Sequence, residues 1–229
     1  MRANGVAGSA AGVVVAVEMA RPRLRGLVHE YAFFASLVTG AALVVHARSP
    51  SAAVACLPYA WSLSACLGVS ALYHRRRWGP SSQLRMSRLD RSMIFLFIGC
   101  TYTTIALLAF SGRVRTFMLL LVWTGVIVGI SLVVCCSERP RRLELGTYVA
   151  LGWSALAALP ALIAAVGLAA TLLLAGGGLL FTAGAVVYAL GRPNPVPEWF
   201  GFHEVFHSLV VAGAAVHFLT LWLFILPQA

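Results

Sequence analysis

The chain has 229 residues, 60% of them hydrophobic and 10% charged, with a mean hydropathy of +0.88. Soluble domains carry about 25% charged residues, so this composition excludes an ordinary soluble globule and indicates an integral membrane protein. The net charge of +10 comes from arginine alone, with no lysine. Those arginines cluster in short turns between apolar runs, a membrane-topology pattern, and form no contiguous basic face of the kind nucleic-acid binding requires.

A spanning helix needs about 20 mainly apolar residues. Seven stretches qualify, at about 27–47, 52–74, 90–110, 116–136, 145–166, 169–190 and 204–226. The sequence therefore predicts an all-α, seven-helix transmembrane bundle over 27–229, preceded by a tail at 1–26. Residues 6–20 are rich in small side chains but are interrupted by Glu18, and the charged region before them is thin. They read as a mobile or interfacial tail rather than a signal peptide. The fifth and sixth spans run together near Gly167. Pro160 and the triple glycine 176–178 are of a kind tolerated in lipid-embedded helices. No repeat, linker or low-complexity tract divides the chain.

The arginines set the orientation. Arg2, Arg21, Arg23 and Arg25 precede the first span; Arg75, Arg76, Arg77, Arg85, Arg88 and Arg91 flank the turn after the second. Arg139, Arg141 and Arg142 follow the fourth span, and Arg192 follows the sixth. Only Arg48, Arg113 and Arg115 fall on the opposite side. The positive-inside rule then places the N-terminus in the cytoplasm and the C-terminus outside. With seven spans, the cytoplasmic ends of spans two, three and seven carry Ser70 and His74, Asp90, and His203 and His207. Five polar residues from three helices are thus expected in one leaflet.

Cys56, Cys66, Cys100, Cys135 and Cys136 all lie in apolar runs without CxxC spacing. They read as small buried residues and not as a disulfide framework or a thiolate metal site.

The histidine pattern carries chemistry. Residues four apart share a helix face, so His203 and His207 can chelate one ion and His74 can complete a three-histidine zinc site. Such a site leaves a fourth position for water, as in catalytic zinc, whose water becomes acidic near neutral pH. Asp90, the only aspartate, can hydrogen-bond that water and take its proton, while Ser70 can orient the water or a ligand histidine. Taken singly, each residue has a plainer explanation: an interfacial histidine, a helix-capping aspartate, a packing serine. Their convergence, and the rarity of ionisable groups at membrane depth, favours the metal. His203-Glu-Val-Phe-His207 also matches HExxH. It opens a membrane span with no soluble cleft around it, so Glu204 reads as a helix-start acid. His217 lies about 20 Å deeper than His203 by helical rise, outside the site. His29 and His46 read as interfacial, with a supporting role left open for His29.

Ser70-Ala-Leu-Tyr-His74, Arg88-Leu-Asp90 leading into IFLFIGCTYT, and GFHEVFHSLVVAGAAVHF together resemble the hemolysin III family, the bacterial branch of the progestin and adipoQ receptors. The resemblance covers essentially all the spans. It implies seven helices with a cytoplasmic N-terminus and a zinc ion near the cytoplasmic face. The ligands would be His74, His203 and His207, with Asp90 holding the water and Ser70 close by. The wider superfamily includes zinc-dependent lipid amidases, the alkaline ceramidases. Two departures stand out: Arg91 where bacterial members often have His, and Thr104 where they often have Pro.

Three functions follow as expectations. The first is a zinc-dependent intramembrane hydrolase of a lipid amide or ester, with a membrane lipid as substrate. The second is a cytolytic or channel-forming protein, disfavoured for a monomer because the spans hold few ionisable residues away from the site. The third is a membrane sensor or receptor with a structural zinc. A lipid-accessible cavity beside the metal would favour the first.

Overall fold

The computed structural model describes residues 22–136 and 141–228, and among these every regular element is helical. In chain order they are α1 (Leu27–Val45), α2 (Pro50–Arg75), α3 (Pro80–Ala109), α4 (Gly112–Cys135), α5 (Arg141–Gly152), α6 (Leu159–Leu190) and α7 (Phe202–Thr220). A 3-10 segment, Trp153–Ala158, joins α5 to α6, and α7 continues through a π turn at Leu221–Ile225. Residues 1–21, expected as a tail, lie outside the described residues. Residues 22–26, expected as the tail's end, are docked: Arg23 N–H and Leu24 N–H donate to the Glu198 and Trp199 carbonyls at 2.9 and 3.2 Å.

The sequence expects seven spans; six continuous helical stretches are long and apolar enough to cross a membrane. The expected fifth and sixth spans form one 48-residue stretch, Leu143–Leu190, because no polar or charged residue separates them. That stretch is bent. Gly167 adopts φ 80°, ψ 165°, a conformation open to glycine alone. Trp153 Nε1–H donates to Thr182 Oγ1 at 3.0 Å. A straight helix would hold those residues about 43 Å apart, so the chain doubles back near Gly167. Pro160, expected inside a span, sits in the first turn of α6, where its missing N–H is no loss.

α3 starts ten residues before the expected span. Pro80 opens the helix, so Arg85, Arg88 and Asp90 all ride on it. Packing joins α1 to α2, α2 to α3, α3 to α4 and α6 to α7. Tyr59, Leu43, Met118 and Leu221 are fully buried between them, and Phe95, Val122, Val126 and Val133 fill a second cluster between α3 and α4. The outer surface is apolar too: Val38 is 71% exposed and Val45 84%. Large apolar side chains facing outward around a packed interior suit a lipid solvent. Cys56, Cys66 and Cys100 are buried as expected, whereas Cys135 and Cys136 are exposed because they terminate α4 beyond its packed face.

Candidate metal centre

One end of the bundle gathers the polar side chains that the sequence singles out. His74 lies in the last turn of α2, one turn after Ser70. Asp90 lies in the third turn of α3. α7 starts at Phe202, fixed by the Gly201 N–H donating to Glu204 Oε2 at 2.9 Å, so His203 and His207 occupy its first two turns on one face. One ring nitrogen from each of His74, His203 and His207 lies within 4.8 Å of the others. His74 Nε2 and His203 Nε2 are 3.2 Å apart. Asp90 Oδ2 is 3.7 Å from His74 Nε2, and the buried Ser70 hydroxyl faces the Asp90 carboxylate.

These residues fit a metal ion. Nε2 of His207 is buried without a hydrogen-bond partner, a costly state unless a ligand occupies its lone pair. Nitrogens bound tetrahedrally to zinc at about 2.0–2.1 Å stand about 3.4 Å from one another, close to the His74–His203 separation. Three imidazoles suit zinc and other first-row metals, and the carboxylate close to His74 suits a bound water.

Backbone approach at the site is tight. Gly26, at φ 79°, precedes α1 and lies against His74; a Cβ there would stand 2.8 Å from the His74 Cβ. The segment it ends is held further by Arg25 Nε at 2.7 Å from Glu204 Oε1 and by the Arg23 guanidinium 4.4 Å above the Trp199 ring. Glu204 is therefore engaged by Arg25 and Gly201, away from the histidine cluster. It is a helix-start acid as expected, yet fully buried, and its partners oppose the HExxH reading in which it would be the general base.

The cluster opens on a cavity of about 610 Å³. Its lining on the α3 side runs from Gln83 to Phe110, about 40 Å by helical rise, and the part from Asp90 onward, about 30 Å, is comparable to the hydrocarbon thickness of a bilayer. Below the histidines the walls are mainly apolar, including Phe97, Met118, Leu162 and Phe181. His217 lines this deeper part and donates to or accepts from no cluster residue; its Nε2 lies 3.0 Å from the Leu174 carbonyl. Beside Asp90, Arg91 donates to Glu144 Oε2 at 3.0 Å, and the Tyr148 hydroxyl donates to Glu144 Oε1 at 2.6 Å. Arg91 thus stands in an ion pair with α5 and not among the histidines.

A model of the haemolysin-III related family matches residues 17–218. The chain belongs to that family. Hemolysin-3 of Bacillus cereus is 28% identical over 190 residues, covering 82% of this chain and 84% of that one. The Hemolysin-3 homolog of Bacillus subtilis is 29% identical over 130 residues, 57% of this chain and 58% of its own. The human monocyte to macrophage differentiation factor is 27% identical over 169 residues, covering 72% and 67%. No solved structure matches the chain. The chain is thus a hemolysin III-type membrane protein with a three-histidine cluster able to hold a metal ion.

His29, expected at the interface, is only 4% exposed, and its Nε2 lies 2.8 Å from His207 Nδ1. The sequence carried a signal for it: His29 lies at the arginine-rich end of the first span, the same end as His203 and His207. A lone histidine without i+4 partners gave no geometric reason to bring it inward. His46, at the opposite end of α1, stacks on Trp222 at 4.3 Å.

Proposed function

We propose that the protein is a zinc-dependent intramembrane hydrolase of a lipid amide or ester. The single observation that carries this reading is the cavity that takes in His74, His203 and His207 and continues into apolar walls. A structural metal needs no such space, whereas a hydrolase needs room for an acyl chain beside the reacting carbonyl. When bound, zinc would act as Lewis acid and make a water acidic near neutral pH. Asp90, whose carboxylate lies 3.7 Å from His74 Nε2, would take the proton of the attacking water and return it to the leaving amine or alcohol as the carbonyl C–N or C–O bond breaks. Ser70, facing Asp90, keeps that carboxylate turned toward the histidines. The apolar walls hold the acyl chain and exclude bulk water from the reacting end.

The orientation belongs to the same proposal. Residues 1–26 form a cytoplasmic segment and 27–229 one membrane domain. The Leu143–Leu190 stretch crosses twice, giving seven crossings with the site near the cytoplasmic face. The arginine asymmetry and the doubling back at Gly167 support this reading.

The relatives named Hemolysin-3 favour one second reading, a cytolytic protein. A single experiment separates the two. Purified protein in liposomes is assayed for hydrolysis of lipid amides and esters and for release of a trapped dye, with Asp90→Asn alongside wild type. The hydrolase reading expects turnover by wild type and a loss of at least about 100-fold in Asp90→Asn. Dye release that persists in Asp90→Asn, with no hydrolysis by either protein, would favour the cytolytic reading instead.

A further inference from the structure

The proposed ligand set uses three of the four histidines at this end of the bundle and leaves His29 without a role. His29 sits in the first turn of α1, right after Gly26, which packs on His74. Its ring meets His207 edge to face, with centroids 3.9 Å apart. The contact is specific in its atoms: His29 Nε2 approaches His207 Nδ1 at 2.8 Å. It therefore reaches the His207 ring nitrogen other than Nε2. Both rings are buried, and neither His207 Nε2 nor His29 Nδ1 has a hydrogen-bond partner.

A neutral imidazole carries one ring hydrogen. A metal on His207 Nε2 requires that nitrogen bare, so the hydrogen must reside on Nδ1, where a buried N–H needs an acceptor. The acceptor within reach is His29 Nε2. We propose that His29 is a positioning residue for the metal centre, accepting the His207 Nδ1–H hydrogen bond and so holding the His207 Nε2 lone pair toward His74 and His203. Histidine ligands commonly donate their second nitrogen to a carboxylate or carbonyl; an imidazole takes that place here. The inference rests on the three-histidine reading, and it adds the first helix to a centre otherwise built from α2, α3 and α7. His29 is not itself a ligand in this arrangement, because its Nε2 meets His207 Nδ1 while the nitrogens gathered within 4.8 Å of one another are those of His74, His203 and His207.

The test compares full-length detergent-solubilised wild type with His29→Phe, His29→Gln and His207→Ala. Zinc affinity is read by competition with a chromophoric chelator, and metal-stripped samples are melted in parallel. Phe keeps an aromatic ring against His207 but offers no acceptor, so zinc affinity should fall about 10–100-fold while the stripped melting curve stays as in wild type. Gln restores an acceptor oxygen and should recover most of that loss. Where Phe does not fold, His29→Leu serves as the acceptor-free variant. Wild-type affinity in an acceptor-free variant would overturn the proposal. So would equal weakening by Gln and Phe that tracks a lower melting temperature, which marks a packing role only. If wild type binds no zinc, or His207→Ala binds it as tightly, the three-histidine reading itself is wrong.

Discussion

A single hydroxyl ties the second helix to the third. Pro58 interrupts α2, and one turn of that helix is completed from outside: Thr104 on α3 donates to the Ala55 carbonyl at 2.8 Å and accepts from the Tyr59 N–H at 3.2 Å. Ala55 and Tyr59 are the i and i+4 pair that a regular helix would join directly. Thr104 is fully buried, so Thr104→Val removes both of these hydrogen bonds at constant shape. We expect a loss of about 1–2 kcal/mol, read as unfolding in mixed micelles, with Thr104→Ser close to wild type. The departure from proline at this position thus has a structural account. Gly26 makes a comparable point next to the site. Gly26→Ala meets both the left-handed backbone cost of about 1–2 kcal/mol and a Cβ 2.8 Å from that of His74. It should lower both the melting temperature and zinc affinity, whereas a change in stability with zinc affinity untouched would detach Gly26 from the site. At this scale the sequence reading located His74, Asp90, His203 and His207 because i+4 spacing and charge asymmetry are local signals. Arg25 and His29 act through contacts with α7, more than 170 residues away in sequence, and no local pattern encodes that.

Two elements depend on one junction each. The long apolar stretch Leu143–Leu190 turns at Gly167, where φ 80°, ψ 165° admits no side chain without strain. Gly167→Ala should cost about 1–3 kcal/mol and disturb the Trp153–Thr182 contact, visible as a shift in Trp153 fluorescence in a protein retaining that tryptophan alone. The start of α7 depends on Glu204, which joins Gly201 and Arg25. Removing the guanidinium leaves a buried carboxylate without its counter-charge, so Arg25→Met should destabilise by about 3–5 kcal/mol. Arg25→Met/Glu204→Gln should recover much of that loss. A double variant no better than the single would mean that Arg25 acts through other contacts. Element boundaries were the least legible feature. Hydropathy marked where chain can reside in lipid and that the fifth and sixth spans run together near Gly167, but not that Pro80 starts α3 ten residues early.

At the scale of the molecule, the composition was enough to indicate a membrane helical bundle, and the arginine distribution was enough to bring five polar residues to one end. The direction in which that end faces is a separate matter of topology. Single cysteines placed at Arg77 and Arg113 in a cysteine-free background should label from opposite sides of the membrane. Arg77 should react from the cytoplasm and Arg113 from outside; the reverse pattern would invert the proposed orientation. The cavity, which no sequence pattern marks, is what turns a histidine cluster into a candidate reaction site, since it leaves apolar-walled space beside Asp90.

The central claim is that His74, His203 and His207 hold one metal ion. It is tested most directly by elemental analysis of protein purified in detergent without chelator, wild type beside His207→Ala. The account expects about one zinc per chain in wild type and its loss in the variant, whose helical content stays unchanged. A folded wild-type protein without metal, or a variant that keeps its zinc, would contradict it.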